Sequence, residues 1–198
     1  MNIKPIETYY RGYRFRSRLE ARWAVFFDAA HIRWEYEKEG FDLGKHGYYL
    51  PDFYLPDFGC FVEIKPEKGM TDQVENQLRA LSHIAPTICF QGVPSLSWRG
   101  WDGGTLFCWD LCDSGGGAYQ NEISWCYCNS CNKFTLSISD NDPKLLRGDR
   151  TLFRDENFQH VWTELCDPEH RDHHEAGACD FPINKARAAR FEHGETPD

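Results

Sequence analysis

The sequence predicts an α/β fold, a mixed sheet flanked by helices, followed by a cysteine-rich C-terminal region. Three observations carry this. Apolar residues recur at helical spacing in two segments, one near residues 17–30 and one running from Thr71 toward Pro86. Between and just after them lie short alternating or apolar runs, bounded by turn residues, that read as strands. Beyond residue 91 the periodicity fades and the cysteines gather.

The elements follow in order. Ser17-Arg18-Leu19-Glu20 has the form of a capping box, with Ser at N-cap and Glu at N3. Leu19, Trp23, Phe26, Phe27 and Ala30 then recur at helical spacing, so a helix is expected over about 17–30. Ile32, Trp34 and Tyr36 alternate with charged residues and predict a strand. Residues 40–47 read as a loop, 48–55 as a second strand and 60–65 as a third, with turn chemistry at Pro56-Asp57-Phe58-Gly59. Thr71 can cap a second helix that places Val74, Leu78, Leu81 and Ile84 on one face and stops before Pro86. Thr87 to Phe90 reads as a fourth strand. A strand meander followed by a helical crossover implies a mixed sheet with helices packed on it. Further on, 105–112 and 134–138 are candidate strands, Ser114 to Gly117 is a turn or hinge, and 184–192 is a candidate terminal helix. The expected organisation is a core over 1–93 and a cysteine-rich, acidic region over 94–198.

Composition narrows the class. Hydrophobic residues make up 41% and aromatics 15% of the 198 residues, which is ample for a packed core. No apolar run is long enough to span a bilayer, and the N-terminus lacks a signal-peptide apolar region. A cytoplasmic protein with no membrane partner is expected. Nine cysteines, an odd number, argue for reduced thiols, some bound to metal, over a disulfide framework. The net charge of −9 is unevenly spread. Residues 1–90 hold 12 basic against 13 acidic residues, whereas 91–198 hold 10 against 18. The N-terminal segment is itself basic, with Arg14, Arg16, Arg18 and Arg22 interleaved with Tyr9, Tyr10, Tyr13 and Phe15. That pattern suits a nucleic-acid backbone. The acidic rear suits a protein partner.

The chemistry lies in Pro51-Asp52-Phe53 and Glu63-Ile64-Lys65. If 56–59 is a hairpin turn, Leu55 faces Cys60, Tyr54 faces Phe61, Phe53 faces Val62 and Asp52 faces Glu63. Opposed residues share a face, and Lys65 shares it too because side chains alternate. Cys60, Val62 and Ile64 then point the other way. Two carboxylates side by side are unfavourable unless a cation sits between them. A hard divalent ion, Mg²⁺ or Mn²⁺, is the natural occupant, since it accepts carboxylate oxygens and keeps positions for water and phosphate.

Pro-Asp, a spacer, then Glu-Xaa-Lys resembles the signature of the PD-(D/E)XK nuclease superfamily, whose restriction-endonuclease-like core has the same helix, three strands, helix, strand order. Ser17-Arg18-Leu19-Glu20, Trp34-Glu35-Tyr36-Glu37, Pro51-Asp52-Phe53 and Phe61-Val62-Glu63-Ile64-Lys65 together resemble phage Holliday-junction-resolving endonucleases and short nuclease-like proteins of phages and mobile elements. The resemblance covers about residues 10–92. It implies a deoxyribonuclease with Asp52 and Glu63 as metal ligands, helped by the Ile64 carbonyl. It also implies that Lys65 assists the nucleophilic water and that Glu20 reaches the same centre from the first helix. Gln77 is a candidate for positioning water or phosphate, although a solvent-facing glutamine is the simpler reading. Pro66 departs from the pattern, which favours a small residue there.

Cys128-Asn129-Ser130-Cys131, followed by Lys133-Phe134, looks like one half of a zinc ribbon. The second pair of ligands is expected from Cys166 and His170 first. Cys126, Cys108, Cys112, His173, His174 and Cys179 are alternatives. Trp98 and Trp101 read as core covers or base-stacking groups. The leading expectation is a metal-dependent DNA endonuclease of phage or mobile-element origin, acting in the cytoplasm of a bacterial host, with a homodimer a further expectation. The rival is a nuclease-fold protein that sequesters a nucleic acid or a host protein without cutting. A zinc-ribbon adaptor whose DNA binding resides in 105–180 is the third.

Overall fold

The computed structural model describes residues 5–94, 104–109, 118–138, 174–175 and 180–191. It has a mixed α/β architecture. A β-hairpin, β1 (Thr8–Tyr10) and β2 (Tyr13–Phe15), leads into helix α1 (Arg18–Ala29). Next come β3 (Glu35–Tyr36), β4 (Phe41–Asp42), a 3₁₀ turn (Gly44–His46) and β5 (Tyr48–Tyr49). The hairpin of β6 (Phe53–Leu55) and β7 (Cys60–Lys65) is followed by α2 (Asp72–Leu81) and β8 (Thr87–Gln91). The chain continues through β9 (Gly104–Trp109), β10 (Ala118–Cys128), β11 (Lys133–Ile138), β12 (His174–Glu175) and α3 (Asp180–Ala188).

One sheet unites most of these strands, in the order β11-β10-β9-β8-β7-β6-β3, with β12 pairing on β10. Only β7 and β8 run parallel; every other described pair in it is antiparallel. The α2 crossover makes that parallel junction possible. The sheet does not stop near residue 93: β9 pairs with β8 and carries it on to β10 and β11. Gly104 allows the approach, since a Cβ there would lie 2.6 Å from the Phe90 ring.

Each face of the sheet is covered. Phe53, Leu55, Cys60, Val62, Ile64, Ile88 and Phe90 pack with the apolar side chains of α1, and Trp125, Leu136 and α3 join the same cluster. Helix α1 buries an unusually wide surface, Glu20–Ala21 and Trp23–Phe27, because α3 packs against it as well. On the opposite face Phe61 and Cys89 pack with Tyr49 and with Leu78 and Leu81 of α2. The result is α1 and α3, then the sheet, then α2.

The structure refines several sequence expectations. Ser17 caps α1 by accepting the Glu20 N–H, and Thr71 caps α2 by accepting the Val74 N–H. The hairpin register is the expected one, Phe53–Val62, Tyr54–Phe61 and Leu55–Cys60, with Gly59 at φ 58° in the turn. The strand expected over Ile32–Tyr36 is only Glu35–Tyr36. The segment 48–55 divides: Tyr48–Tyr49 pairs with β4, and Leu50-Pro51-Asp52 interrupts it before β6. Proline has no N–H for a ladder, which accounts for the break. The expected loop over 40–47 contains β4 and the 3₁₀ turn. Ile84 lies past the end of α2 and is exposed, not on its buried face. The terminal helix begins at Asp180, four residues early, with Pro182 in the first turn where its missing N–H costs nothing. Ser114 to Gly117, Trp98, Trp101, Cys112, Cys166, His170, His173 and Cys179 lie outside the described residues. No helix among the described residues is long and apolar enough to cross a membrane.

Candidate active site on the β6–β7 hairpin

The site begins with the way the sheet treats Pro51. The Phe61 N–H and the Lys65 carbonyl turn toward β8, bonding the Pro86 carbonyl and the Gly92 N–H. Backbone groups alternate along a strand, so those of Ile64 turn toward β6. Continuing the register past Phe53 sets Ile64 opposite Pro51, which has no N–H to give the Ile64 carbonyl. The Ile64 N–H is taken by the Asp52 side chain, Oδ2 at 2.8 Å. The Asp52 carbonyl is held by the Glu37 N–H at 2.9 Å. Asp52 is thereby fixed from both sides at the mouth of the hairpin.

Glu63 sits on β7 and is 3% exposed; Asp52 is 6% exposed. Lys65 Nζ contacts Glu63 Oε1, while Glu63 Oε2 is buried with no hydrogen-bond partner. Burial first, then the charges of Glu63 and Glu20, push the Asp52 carboxyl well above the usual carboxylate range, against the opposing pull of the Ile64 N–H and Lys65. For Lys65, burial pulls the pKa down, but Glu63 and Asp52 outweigh it and hold the ammonium above its ordinary value. Lys65 is therefore a cation at neutral pH. The Lys65 ammonium contacts Glu63 directly and draws on Asp52 as well, so one close cation is shared between two buried carboxylates.

Tyr49 was not legible as a site residue. It is buried on β5, and its hydroxyl has no hydrogen-bond partner of ordinary geometry. Burial and the adjacent Glu63 raise its pKa. A donor and an acceptor, the Tyr49 hydroxyl and a Glu63 carboxylate oxygen, thus lie in one buried neighbourhood, close enough to interact but without a hydrogen bond of ordinary geometry. Cys89 stands beside Glu63 in the parallel ladder, its thiol pushed up to about 12 by burial and by that carboxylate. No sequence periodicity marks Tyr49, because its strand pairs with β4 rather than with the hairpin it faces.

Glu20 is 7% exposed near the start of α1. Its Oε1 accepts from Ser17 Oγ (2.7 Å), and its Oε2 from the Tyr36 hydroxyl (2.6 Å) and the Arg16 N–H (3.1 Å). Its charge reaches Asp52, which places it beside the cluster, yet its oxygens already hold three donors. The sequence reading of Gln77 as solvent-facing is corrected: it is buried, and its amide donates to the His46 carbonyl at 3.0 Å. Pro66 ends β7, and its carbonyl accepts the Gly69 N–H in a tight turn.

The N-terminal arginines divide. Arg14 and Arg16 are exposed and ion-paired with Glu7 and Glu37. Arg18 and Arg22 are half-buried on α1. Burial pulls the Arg16 pKa down, but its partner Glu37, with a smaller contribution from Asp52, outweighs that and raises it.

Among the described residues no three His, Cys, Asp or Glu side chains converge tightly enough to enclose a metal ion as they stand. The donor set nevertheless fits a hard cation. Two buried carboxylates, one of them with an oxygen that makes no hydrogen bond of ordinary geometry, and the Ile64 carbonyl, which the extended register sets opposite a proline, are oxygen ligands of the kind Mg²⁺ and Mn²⁺ take. Comparison of the chain with protein-family models, curated proteins and solved structures gives no match. The site stands on its own geometry.

Proposed function

We propose that the chain is a Mg²⁺- or Mn²⁺-dependent deoxyribonuclease of the PD-(D/E)XK kind. The observation that carries this reading is the buried Asp52–Glu63 pair, with Lys65 in contact with Glu63 Oε1 and no hydrogen bond of ordinary geometry to Glu63 Oε2. A buried charge pair of one sign is strongly unfavourable unless function requires it. When bound, the ion supplies Lewis acidity and an activated water. Asp52, Glu63 and the Ile64 carbonyl would hold it.

The chain's own groups have definite roles. The Ile64 N–H keeps Asp52 aimed at the hairpin mouth. Lys65, charged and a quarter exposed at its side chain, is a hydrogen-bond donor and counter-charge for water or a phosphate oxygen. A lysine whose pKa is raised does not serve as a general base at neutral pH. Glu20 tunes the cluster from α1, with Tyr36 and Ser17 locking its orientation. Arg16, at the same edge, would steer the phosphate backbone, with Arg14, Arg18 and Arg22 beside it.

A specific observation favours a second reading. Arg14 and Arg16 are satisfied by the chain's own acids, and 91–198 is strongly acidic. Both features suit a nuclease scaffold kept for binding a protein or nucleic acid, such as a host factor met by a phage protein.

Cleavage of supercoiled plasmid, linear duplex, single strand and four-way junction tests the two. Each substrate is incubated with Mg²⁺, Mn²⁺ or EDTA, beside a Glu63→Ala/Lys65→Ala variant. Metal-dependent cutting lost in the variant is expected. A folded protein that binds metal and cuts none of the four supports the second reading.

A further inference from the structure

We propose that the β10–β11 hairpin carries a structural zinc site whose ligands include Cys128, Cys131 and His174. This site lies three strands away from β7 in the sheet and does not depend on the nuclease reading.

The turn between the strands has the shape a zinc knuckle requires. Cys128 is the last residue of β10 and pairs with Lys133, the first of β11. The Cys131 N–H points back at Cys128 Sγ, at 3.4 Å, and the Asn132 N–H bonds the Cys128 carbonyl at 2.8 Å. Asn132 adopts a left-handed φ of 55°, which folds the turn over the first cysteine. Cys128 is fully buried.

The third ligand comes from the sheet, not from the sequence spacing. The chain leaves β11 at Ile138 and returns as β12, only two residues long, which pairs antiparallel with β10. Its register sets His174 opposite Cys128 and Glu175 opposite Tyr127. Directly opposed residues on antiparallel strands share a face. His174 is thus placed on the face of the knuckle's first cysteine. A two-residue pairing has little stability of its own, and a metal shared between β10 and β12 supplies what the ladder lacks. Two thiolates and an imidazole fit tetrahedral Zn²⁺, with a fourth donor completing the shell.

The test uses the full chain, purified without a histidine tag and without chelator. Elemental analysis is expected to find about one zinc per chain. Titration of the wild-type protein with a thiol-blocking mercurial should release it stoichiometrically, a readout that needs no variant to fold. Co²⁺ in place of zinc should give a thiolate charge-transfer band and the visible absorption of a tetrahedral site. Cys131→Ser and His174→Ala should each lose most of the zinc, and His174→Cys, which restores a ligand, should keep it. Wild-type protein without zinc that yields no thiolate band with Co²⁺ would overturn the proposal. So would full zinc retention in His174→Ala.

Discussion

Two hairpins of one sheet carry the candidate chemistry, and they are built on different principles. At β6–β7 Glu63 and Lys65 sit on a strand and Asp52 just ahead of its partner strand, the scaffold is buried on both faces, and two carboxylates are buried together. In β10–β11 two cysteines share a tight turn, and the sheet sets His174, from a strand far along the chain, opposite the first of them. The first hairpin is a rigid frame holding a group that destabilises it. The second is a turn for which metal would be a source of stability. Functional sites tolerate unfavourable charge, whereas structural metal sites are formed where folding energy is short.

The largest effect should come from the side chain that joins the two regions. Trp125 of β10 is buried against Phe26, Phe27, Phe58 and Phe90. Trp125→Ala should cost about 3–5 kcal/mol by denaturant unfolding, in one transition followed alike by tryptophan fluorescence and by far-UV circular dichroism. Two separate transitions, with the earlier one alone shifted, would show that the hairpins belong to independently folding units.

Next is the acid pair. Asp52→Asn should lower metal-dependent cleavage roughly 10²–10³-fold, in line with losing one electrostatic element of a catalytic site. The same substitution should raise the melting temperature of the metal-free protein. The pKa of Asp52 is higher folded than unfolded, so the folded chain retains a proton that the unfolded chain has lost. Stability must then fall as pH rises above the ordinary carboxylate value of about 4. The wild-type protein in EDTA should accordingly melt higher at mildly acidic than at alkaline pH, and Asp52→Asn should flatten that slope. A slope unchanged in the variant would remove the unfavourable burial of carboxylates from which the comparison starts.

Tyr49→Phe is smaller. It deletes a buried hydroxyl that stands beside Glu63 without a hydrogen bond of ordinary geometry, so stability should hold or rise slightly, while cleavage falls about tenfold if that hydroxyl orients Glu63, the scale of one hydrogen bond. Loss of kcat with unchanged KM would mark Tyr49 as a positioning residue for Glu63; unchanged kcat would reduce it to packing. Smallest is Ser17→Ala, which removes the α1 cap and one donor to Glu20 and should cost about 1 kcal/mol. The loss should appear in the melting temperature, with only a slight change in cleavage.

The parts of the molecule legible in the sequence were those fixed by local chemistry. Ser17 and Thr71 marked helix starts because a hydroxyl at N-cap answers a backbone N–H within the same turn. The β6–β7 register followed from a short turn and side-chain alternation, and the Asp52–Glu63–Lys65 grouping followed from the register. What escaped was set by distant partners. Ile84 fits the α2 stripe, but the helix ends first, so a well-placed apolar residue stays in water. Tyr49 reaches Glu63 from a strand that pairs elsewhere. Gln77 is buried because the 3₁₀ turn at Gly44–His46 lies over it and offers a carbonyl. Spacing rules cannot reveal His174, since the pairing that sets it opposite Cys128 spans the long excursion after β11.

The one parallel junction among the described strands, β7 with β8, also bears on the order of events in time. The β6–β7 hairpin closes across a short turn at little entropic cost, whereas β8 must await the crossover through α2. Contacts local in sequence form early and distant pairings late. Asp52 and Glu63 are therefore brought together in a half-built chain, while water still surrounds them and their repulsion is weak. The desolvation penalty arrives afterwards, as β8 docks beside β7 and α2 closes over Phe61 and Cys89. On this sequence of events Asp52→Asn should leave the refolding rate close to wild type where docking lies beyond the barrier, and slow unfolding instead. The carboxylate that equips the site would then act as a clock on how long the finished, metal-free molecule lasts.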